Sequence, residues 1–373
     1  MKKGRILYVG PFIMPDGNAT AHRVMQNAKI FSICGFSTTF IELRNGDKQV
    51  YENIRKFDDY DTWKIKYTSK SKRIWKEKSV IEDIIKYYDD VVAIMGYNLP
   101  STVTILIMNI CKNNKIKYLV DCTEWYSAKH MNFFKKPFFA LDTFLTMRIL
   151  NKKVDGIIVI SSYLEKYYKK CNNIVRIPPL VDKKEVIWNN DNKKDNSIIR
   201  FIFSGTLRKG KDDLKPCVDS IKRIDNAILD IYGITKEEYC KFYNIKKNEI
   251  NEINEKIIFH GFVSHKESVN AIKNADYMLL IRESSRKNNA GFSTKLVEAI
   301  SAGTAVVGTD TSDLRYLIDK YSCGHIISYK SEEMEQRIQE ISKNPKVLLT
   351  KECTELFDYR KYVKSVDYFL KSI

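Results

Sequence analysis

Residues 277–309 read YMLLIRESSRKNNAGFSTKLVEAISAGTAVVGT, and this stretch alone predicts a structural class. It begins with an apolar run, Tyr277–Ile281, and ends with a second one, Ala305–Gly308. Between them a polar loop leads to a helical segment, Lys295–Ser301, which Gly303 closes. A strand, a helix and a second strand in succession predict a βαβ unit with parallel strands.

The same alternation of short apolar runs with helical patterns continues along most of the chain. Because these runs are continuously apolar, we expect them to be buried on both faces, in parallel sheets covered by helices. The pattern predicts an α/β fold of two successive doubly wound, Rossmann-like domains. The other runs that predict strands are Arg5–Val9, Ser37–Leu43, Val91–Met95, Ile116–Asp121, Gly156–Ile160, Ile174–Ile177, Ile199–Ser204, Ile228–Tyr232, Ile257–Phe259 and His325–Ile327.

The strand series is interrupted once, by a polar and charged stretch without periodicity. We therefore predict an N-terminal domain over residues 1–182, a linker over 183–197 and a second domain over 198–355. The aromatic spacing of residues 356–373 is typical of an amphipathic C-terminal helix.

The composition is that of a folded protein with a strong positive charge. Of the 373 residues 44% are hydrophobic, which argues against global disorder, and the formal net charge is +17. That charge favours anionic partners such as nucleotides, nucleic acid or an acidic membrane surface, or else it reflects lysines that solvate helix faces. The eight cysteines form no C-x-x-C pair and no stretch is long enough to span a membrane, so we expect a cytoplasmic protein.

The first candidate site follows the first predicted strand, in GPFIMPDGNATAHRVMQ (residues 10–26). A loop with Gly17 leads into a helix that begins near Asn18. Amides at a helix N-terminus, approached through a glycine, suit an anion. A routine glycine turn after the first strand of an α/β domain explains the pattern equally well.

The second candidate site is IFSGTLRKGKDDLK (residues 202–215). It imitates a P-loop up to Lys211, but Asp212 stands where the Mg²⁺-binding Ser or Thr belongs, so we do not predict an NTPase. Arg208, Lys209 and Lys211 gather at a strand end, which suits a diphosphate bound without metal. Alternatively, the segment is an exposed basic turn.

The third candidate site is the loop and helix around Gly291–Glu298. Asn288 to Gly291 indicate a loop, and Ser293 or Thr294 supplies a helix cap. Amides at such a helix start hold phosphate, and Glu298 on its first turns accepts hydroxyls of a ribose. Alternatively, Lys295 and Glu298 form an ordinary surface pair.

The segments GFSTKLVEA (residues 291–299) and AGTAVV (302–307) resemble the donor-site signature of GT-B-fold retaining glycosyltransferases of family GT4, in its bacterial capsule- and O-antigen-type branch. Ser204–Lys211, which we call the clamp loop, resembles that family's diphosphate-binding loop. Residues His260-Gly261-Phe262-Val263 resemble its loop beside the base, and Gly17 resembles its acceptor-side glycine loop.

This resemblance implies two Rossmann-like domains facing a central cleft, with a C-terminal helix that crosses back to the N-terminal domain. It also implies transfer of a hexose-type sugar, with retention and without metal or other cofactor, from a nucleoside-diphosphate sugar to a glycan or lipid-linked glycan. The leaving phosphate would deprotonate the acceptor hydroxyl. The candidate catalytic residues are Arg208, Lys211 and Glu124. The candidate donor-binding residues are Gly17, Asn18, Gly205, Thr206, Phe262, Val263, Gly291, Phe292, Ser293, Thr294, Lys295 and Glu298.

The sequence departs from the family pattern at several positions. Ala290 replaces the first carboxylate of the usual pair, and Thr206 replaces an arginine for which Arg208 substitutes. The histidine expected after the fourth strand is absent, so Glu124 or Asp121 approaches the sugar instead. These departures leave two alternatives: an inactive nucleotide-sugar-binding scaffold, or a nucleotide-sugar 2-epimerase.

Two further stretches bear on partners. The acidic Asp59-Tyr60-Asp61 follows no clear strand, so we interpret it as a solvated turn rather than a metal-binding motif. In Lys129–Phe139, lysines alternate with aromatic residues. This stretch either lies on an anionic membrane leaflet and presents a lipid-linked acceptor, or is a buried helix with a basic edge. No RNA-binding motif accompanies it, so we expect no nucleic acid partner.

Overall fold

The computed structural model describes residues 3–15, 17–45, 51–57, 60–67, 70–128, 132–171, 173–190, 198–208, 210–246, 253 and 255–372. The chain divides into two compact units. The first unit comprises Met1–Leu180 together with Tyr359–Ile373, and the second comprises Val181–Asp358. Each unit is built on its own sheet.

All of the predicted strands are present. The strands of the first unit are β1 (Gly4–Gly10), β2 (Phe36–Asn45), β3 (Tyr51–Phe57), β4 (Tyr60–Tyr67), β5 (Val91–Tyr97), β6 (Lys117–Cys122), β7 (Gly156–Val159) and β8 (Ile174–Arg176). Those of the second unit are β9 (Ile199–Ser204), β10 (Ala227–Tyr232), β11 (Ile257–Gly261), β12 (Tyr277–Leu280), β13 (Ala305–Thr309) and β14 (Gly324–Ile327).

Helices connect the strands in both units. In chain order they are α1 (Ala19–Ile33), α2 (Lys70–Tyr87), α3 (Ser101–Asn114), α4 (Lys136–Phe144), α5 (Ser162–Tyr168), α6 (Lys215–Ile221), α7 (Lys236–Tyr243), α8 (His265–Asn274), α9 (Arg286–Ala290), α10 (Thr294–Ser301), α11 (Leu314–Tyr321), α12 (Ser331–Lys343), α13 (Lys351–Thr354) and α14 (Val363–Lys371). A π-helical turn, Leu145–Ile149, and the 3-10 turns Leu150–Lys152, Val186–Trp188 and Tyr359–Tyr362 are also present.

The sheet of the first unit has the order β3-β4-β2-β1-β5-β6-β7-β8 within the described residues. All neighbouring strands are parallel except β3 and β4, which form an antiparallel pair at one edge. The strand order reverses between β1 and β5, which makes this a doubly wound sheet.

β3 and β4 were not predicted, and they change the interpretation of the acidic stretch. Asp61 lies on β4, paired in register with Thr39 of β2. Its carboxylate accepts a hydrogen bond from the Tyr88 hydroxyl at 2.9 Å and lies 3.6 Å from the Arg5 guanidinium. The prediction of a solvated turn is therefore wrong for Asp61, and Asp58 and Asp59 lie outside the described residues.

The C-terminal segment completes the core of the first unit. Val366 and Phe369 of α14 belong to the same buried cluster as Phe31 of α1 and Tyr8 of β1. The predicted C-terminal helix is thus present, and it packs on the N-terminal part of the chain, as the resemblance implies. Apolar burial of this kind is the main force that holds a terminal helix in place.

The sheet of the second unit has the order β11-β10-β9-β12-β13-β14, and all of its described strand pairs are parallel. Successive residues of a strand belong to buried clusters on opposite faces of the sheet. Phe201 and Phe203 lie in one cluster, and Ile202 between them lies in the other. Burial on both faces explains why the strands are continuously apolar.

The segment predicted as a linker differs from the expectation in its described part. Trp188 is buried in the core of the second unit. The side chains of Lys183 and Asn190 donate hydrogen bonds to the carbonyls of Ser301 and Ala302, at 2.5 and 2.7 Å. They satisfy carbonyls that the end of α10 leaves unpaired, and so bind this segment to the second unit. Residues 191–197 lie outside the described part of the chain.

Candidate functional site

The candidate site of the second unit lies at the carboxyl ends of β9 and β12. From β9 the chain continues to β10 on one side, and from β12 it continues to β13 on the other. Ligands of doubly wound domains bind where the strand order reverses in this way, because the loops diverge and leave a crevice. The clamp loop after β9 and the loop and helix after β12 both begin there.

Glycines end three neighbouring strands at this edge. Gly205, Gly233 and Gly261 follow or end β9, β10 and β11, with φ of +132°, +91° and +66°. A Cβ on Gly233 would lie 2.8 Å from the Gly205 carbonyl oxygen. The neighbouring backbone thus excludes a side chain at Gly233, and the positive φ values favour glycine at all three strand ends. Gly233 was not predicted as a site residue, although a glycine directly after an apolar strand was a usable signal.

The clamp loop presents its polar residues unevenly. Thr206 and Arg208 are exposed, whereas Lys211 is half-buried and its amide donates to the Arg208 carbonyl at 3.0 Å. Lys209 lies outside the described residues. The loop therefore offers an exposed cation, Arg208, and a half-buried one, Lys211.

Asp212, which directly follows the clamp loop, forms an ion pair with Lys295 of α10. Its carboxylate is buried and accepts a hydrogen bond from Arg282 Nε at 2.7 Å and one from Lys295 Nζ at 3.1 Å. Lys295 Nζ also lies 3.9 Å from the centroid of the Phe203 ring, a cation–π contact. We call Asp212, Arg282 and Lys295 the buried triad. Because it contains two cations and one anion, the triad has a net positive charge.

The pKa values of the triad follow from its burial and charges. Burial alone would raise the pKa of Asp212, but the charges of Lys295 and Arg282, with their hydrogen bonds, lower it to about 2. Burial lowers the pKa of Lys295 to about 8, aided by Arg282 and Lys211 and opposed by Asp212. Asp212 is therefore firmly ionised near neutral pH, whereas Lys295 is held close to its titration.

The contacts within the triad explain why residue 212 is an aspartate. The carboxylate does not point toward a phosphate, because both of its oxygens are occupied by Arg282 and Lys295. Lys295 likewise is no surface partner of Glu298: its Nζ lies beside Gly205, 3.1 Å from where a Cβ would stand. Arg282 was not predicted, because nothing in its local pattern marks it.

The loop predicted at Asn288 to Gly291 is in part the short helix α9. The Ser285 hydroxyl caps it by accepting from the Asn288 amide at 3.2 Å. Ser293 occupies the N-cap of α10, but its side chain makes no capping bond. Its hydroxyl instead accepts from Arg282 at 3.4 Å, which leaves the first amides of α10 without a side-chain cap from Ser293.

The remaining predicted donor residues of this unit lie on or beside α10. Thr294 is exposed, and the ring of Phe292 packs edge-on against Phe357 with 5.8 Å between centroids. The Gly291 carbonyl accepts from the Ser312 hydroxyl at 2.5 Å. Glu298 is partly exposed and lies 3.3 Å from His265 Nε2.

Phe262 and Val263 form the turn between β11 and α8. Phe262 is 88% exposed, while Val263 is half-buried. The following helix is held by a capping box in which Ser264 and Glu267 bond each other's backbone amides. The turn before this capped helix thus presents an uncovered aromatic ring directly after β11.

Gly17 and Asn18 follow β1, at the reversal of strand order in the first unit. The Asn18 side chain caps α1 by accepting from the Ala21 amide at 2.8 Å, which confirms the predicted start of that helix. A Cβ on Gly17 would lie 2.4 Å from Ile13 Cγ2. Packing against Ile13 is therefore sufficient reason for the glycine.

Glu124 and Asp121 differ in accessibility. Glu124 is half-buried just after β6, next to Thr123, whose amide and hydroxyl bond the Asn98 side chain. Asp121 is 0% exposed. Its carboxylate accepts from Arg23 at 2.7 and 2.9 Å and from the Tyr8 hydroxyl at 2.5 Å. The suggestion that Asp121 approaches a sugar is wrong, because these groups enclose it.

Comparison with known proteins identifies the second unit. Residues 182–356 match the family model described as Glycosyl transferases group 1. Among curated proteins, none matches the sequence significantly. The second unit is a group 1 glycosyltransferase domain, and the chain is a glycosyltransferase.

Solved structures show the fold. The sucrose-phosphate synthase of Thermosynechococcus elongatus aligns with a TM-score of 0.76 at 14% identity, covering 99% of this chain and 98% of that one. Anabaena HepE, solved in complex with UDP and glucose, aligns at 0.69 and 10% identity, covering 99% and 100%. The lipopolysaccharide outer core galactosyltransferase WaaB aligns at 0.64 and 16% identity, covering 99% of each chain. The fold is GT-B, with two parallel-sheet, Rossmann-like units.

Proposed function

We propose that the chain transfers a hexose-type sugar from a nucleoside-diphosphate sugar to a glycan or lipid-linked glycan, with retention and without metal. We further propose that it acts in capsule or O-antigen synthesis at the inner face of the cell membrane. The observation that carries the donor chemistry is the buried triad with its net positive charge beside Gly205. A fixed positive charge at a glycine-lined strand edge suits a diphosphate.

The chemical demand is the departure of a diphosphate. Lys295 and Arg282 are oriented in advance by Asp212, so they supply charge without reorganisation. Arg208 and Lys211 add cations from the clamp loop. With the leaving group stabilised in this way, its own phosphate oxygen serves as base for the acceptor hydroxyl, and no separate strong base is needed.

The rest of the donor has candidate contacts in the same unit. The exposed ring of Phe262 offers a stacking face for the base. Glu298 offers a carboxylate to the ribose hydroxyls. On the acceptor side, Glu124 is a half-buried carboxylate just after β6 and is our candidate for contact with the transferred sugar.

Replacing Lys211 by Ala is expected to lower turnover by about 100-fold or more, because one preorganised cation is worth about 2.7–4 kcal/mol of barrier. The turnover is measured as the release of nucleoside diphosphate from UDP-, GDP-, ADP- and CDP-sugars. Lys215→Ala is the matched control, since that lysine is held by Asp219 at 2.8 Å on α6. Equal loss in both variants would remove Lys211 from the clamp.

The same assay separates the alternatives. A nucleotide-sugar-binding scaffold gains thermal stability from a donor yet releases no nucleoside diphosphate. A 2-epimerase converts the donor without any acceptor. Either result would refute the proposed transfer.

Donor affinity is expected to fall as the pH rises through about 8, where Lys295 loses its proton. A neutral amine no longer balances a diphosphate. The free energy of unfolding changes in the opposite direction. Because folding lowers the pKa of Lys295 from 10.5 to about 8, the free energy of unfolding increases as the pH rises from about 8 to 10.5. Calorimetric titration with nucleoside diphosphate across this range tests it. Lys295→Arg keeps its charge and should remove the dependence; an unchanged profile in that variant would contradict the assignment.

A further inference from the structure

The segment Asn132–Phe144 of the first unit presents an apolar surface to solvent. Helix α4 contains no buried residue, whereas a helix of a Rossmann-like domain ordinarily buries one stripe. Phe133, Phe134 and Phe138 are 82%, 81% and 77% exposed. The alternative of a buried helix with a basic edge is therefore wrong for residues 132–138, and residues 129–131 lie outside the described part. We define the aromatic ridge as Phe133, Phe134, Phe138, Leu141 and Phe144, all exposed.

The ridge is held outward by contacts on the other side of the segment. The Asp142 carboxylate accepts from the amide and hydroxyl of Ser101, at 2.7 and 2.6 Å. The ring of Phe139 packs edge-on against Tyr126, with 6.2 Å between centroids. These contacts leave Phe134, Phe138 and Leu141, at helical spacing, directed away from the unit.

Cations flank the ridge. Lys135 and Lys136 lie between its phenylalanines and are exposed, and the Arg148 guanidinium lies 5.5 Å from the centroid of Phe144. The one carboxylate on α4 is that of Asp142, which is engaged by Ser101. The surface is thus apolar at its crest and positive at its edges.

We propose that the aromatic ridge docks the chain on an anionic lipid bilayer. Aromatic rings insert at the headgroup level, and lysines beside them pair with anionic lipid while their alkyl stems stay in apolar contact. The described part of the chain has no helix long and apolar enough to cross a bilayer, and the docking proposed here requires none.

The docking of the ridge on lipid is independent of the proposed function. Only the purpose of docking, which is access to a lipid-linked acceptor, rests on that function. The ridge belongs to the first unit, as does Glu124. Docking through the ridge would therefore bring the unit that carries Glu124 to the lipid.

The test is cosedimentation of the full chain with vesicles of phosphatidylcholine, alone or mixed with phosphatidylglycerol. We expect binding to the mixed vesicles alone, weakened by salt. The variant Phe133→Ser/Phe134→Ser/Phe138→Ser should bind at least about tenfold more weakly, because three apolar anchors are lost. Lys135→Glu/Lys136→Glu should lose the preference for anionic lipid. Leu348→Ser, at a residue 86% exposed in the second unit, is the matched control and should bind as the unchanged chain.

Thermal shift by nucleoside diphosphate, measured on the same variants, shows that they remain folded and keeps failure of docking distinct from failure of donor binding. The proposal is overturned if the unchanged chain ignores anionic vesicles, or if the triple variant binds them equally well. It is also overturned if the ridge instead mediates dimerisation, seen by sedimentation velocity, or binding of an oligonucleotide, without vesicle binding.

Discussion

Replacing Asp212 by Ala is expected to lower the free energy of unfolding of the second unit by about 3–5 kcal/mol, the cost typical of breaking a buried ion pair. The reason is that Arg282 and Lys295 would remain buried side by side with like charges and no anion between them. Urea denaturation followed by circular dichroism measures the change. Donor affinity should fall as well, since the two cations lose their orientation.

A matched control is the exposed pair of Asp310 and Arg315, which are 2.5 Å apart. Asp310→Ala should cost less than about 1 kcal/mol, because solvent screens a surface pair. Acid titration adds a second readout. With a folded pKa of about 2, the stabilisation from Asp212 is full above its ordinary pKa of 3.8 and is lost as the pH falls toward 2. Asp212→Ala with unchanged stability would show that the triad is not a charge cluster.

Replacing Asp121 by Ala is expected to destabilise the first unit by about 3–5 kcal/mol, for a similar physical reason. Arg23 would be left buried without its anion, and the Tyr8 hydroxyl and Asn27 amide would each lose an acceptor. Burial and the charge of Asp121 hold the pKa of Tyr8 well above its ordinary value, so Tyr8 remains a donor at all moderate pH.

Glu124→Ala is the control for this variant. Because Glu124 is half-buried and makes no buried ion pair among the described contacts, its loss should leave the unfolding midpoint nearly unchanged while lowering sugar transfer. Comparison of unfolding and transfer in the two variants separates a structural carboxylate from a functional one. A stable Asp121→Ala protein with impaired transfer would reverse the assignment.

The fold could be predicted from the sequence to a large extent, because continuous apolar runs are a local consequence of burial on both faces of a sheet. The strands from Arg5–Val9 to His325–Ile327 were predictable on that ground. β3 was not, since Tyr51–Phe57 carries charged residues through its length and occurs at a sheet edge. An edge strand has one neighbour, so its pattern need not be apolar.

The candidate site divides in the same way. Gly205, Gly291 and Glu298 could be selected because glycine turns and helix starts have local patterns. The role of Asp212 could not be predicted, because its partners Arg282 and Lys295 are 70 and 83 residues away in the chain. The difference in burial between Asp121 and Glu124 could not be predicted either. These residues are only three positions apart, but Arg23 and Tyr8 enclose Asp121 and leave Glu124 half-buried.

Local pattern was therefore enough for the order of the continuously apolar strands, the two-unit organisation and the positions of the glycine-rich turns, because each depends on neighbours within a few residues. The charge balance of the buried triad, the enclosure of Asp121 and the exposure of the aromatic ridge depend on which distant groups meet. Burial strengthens the ion pairs of Asp212 and Asp121, and burial is itself a product of the whole packed unit. For that reason only the folded chain shows that Asp212 orients two cations rather than repelling a phosphate.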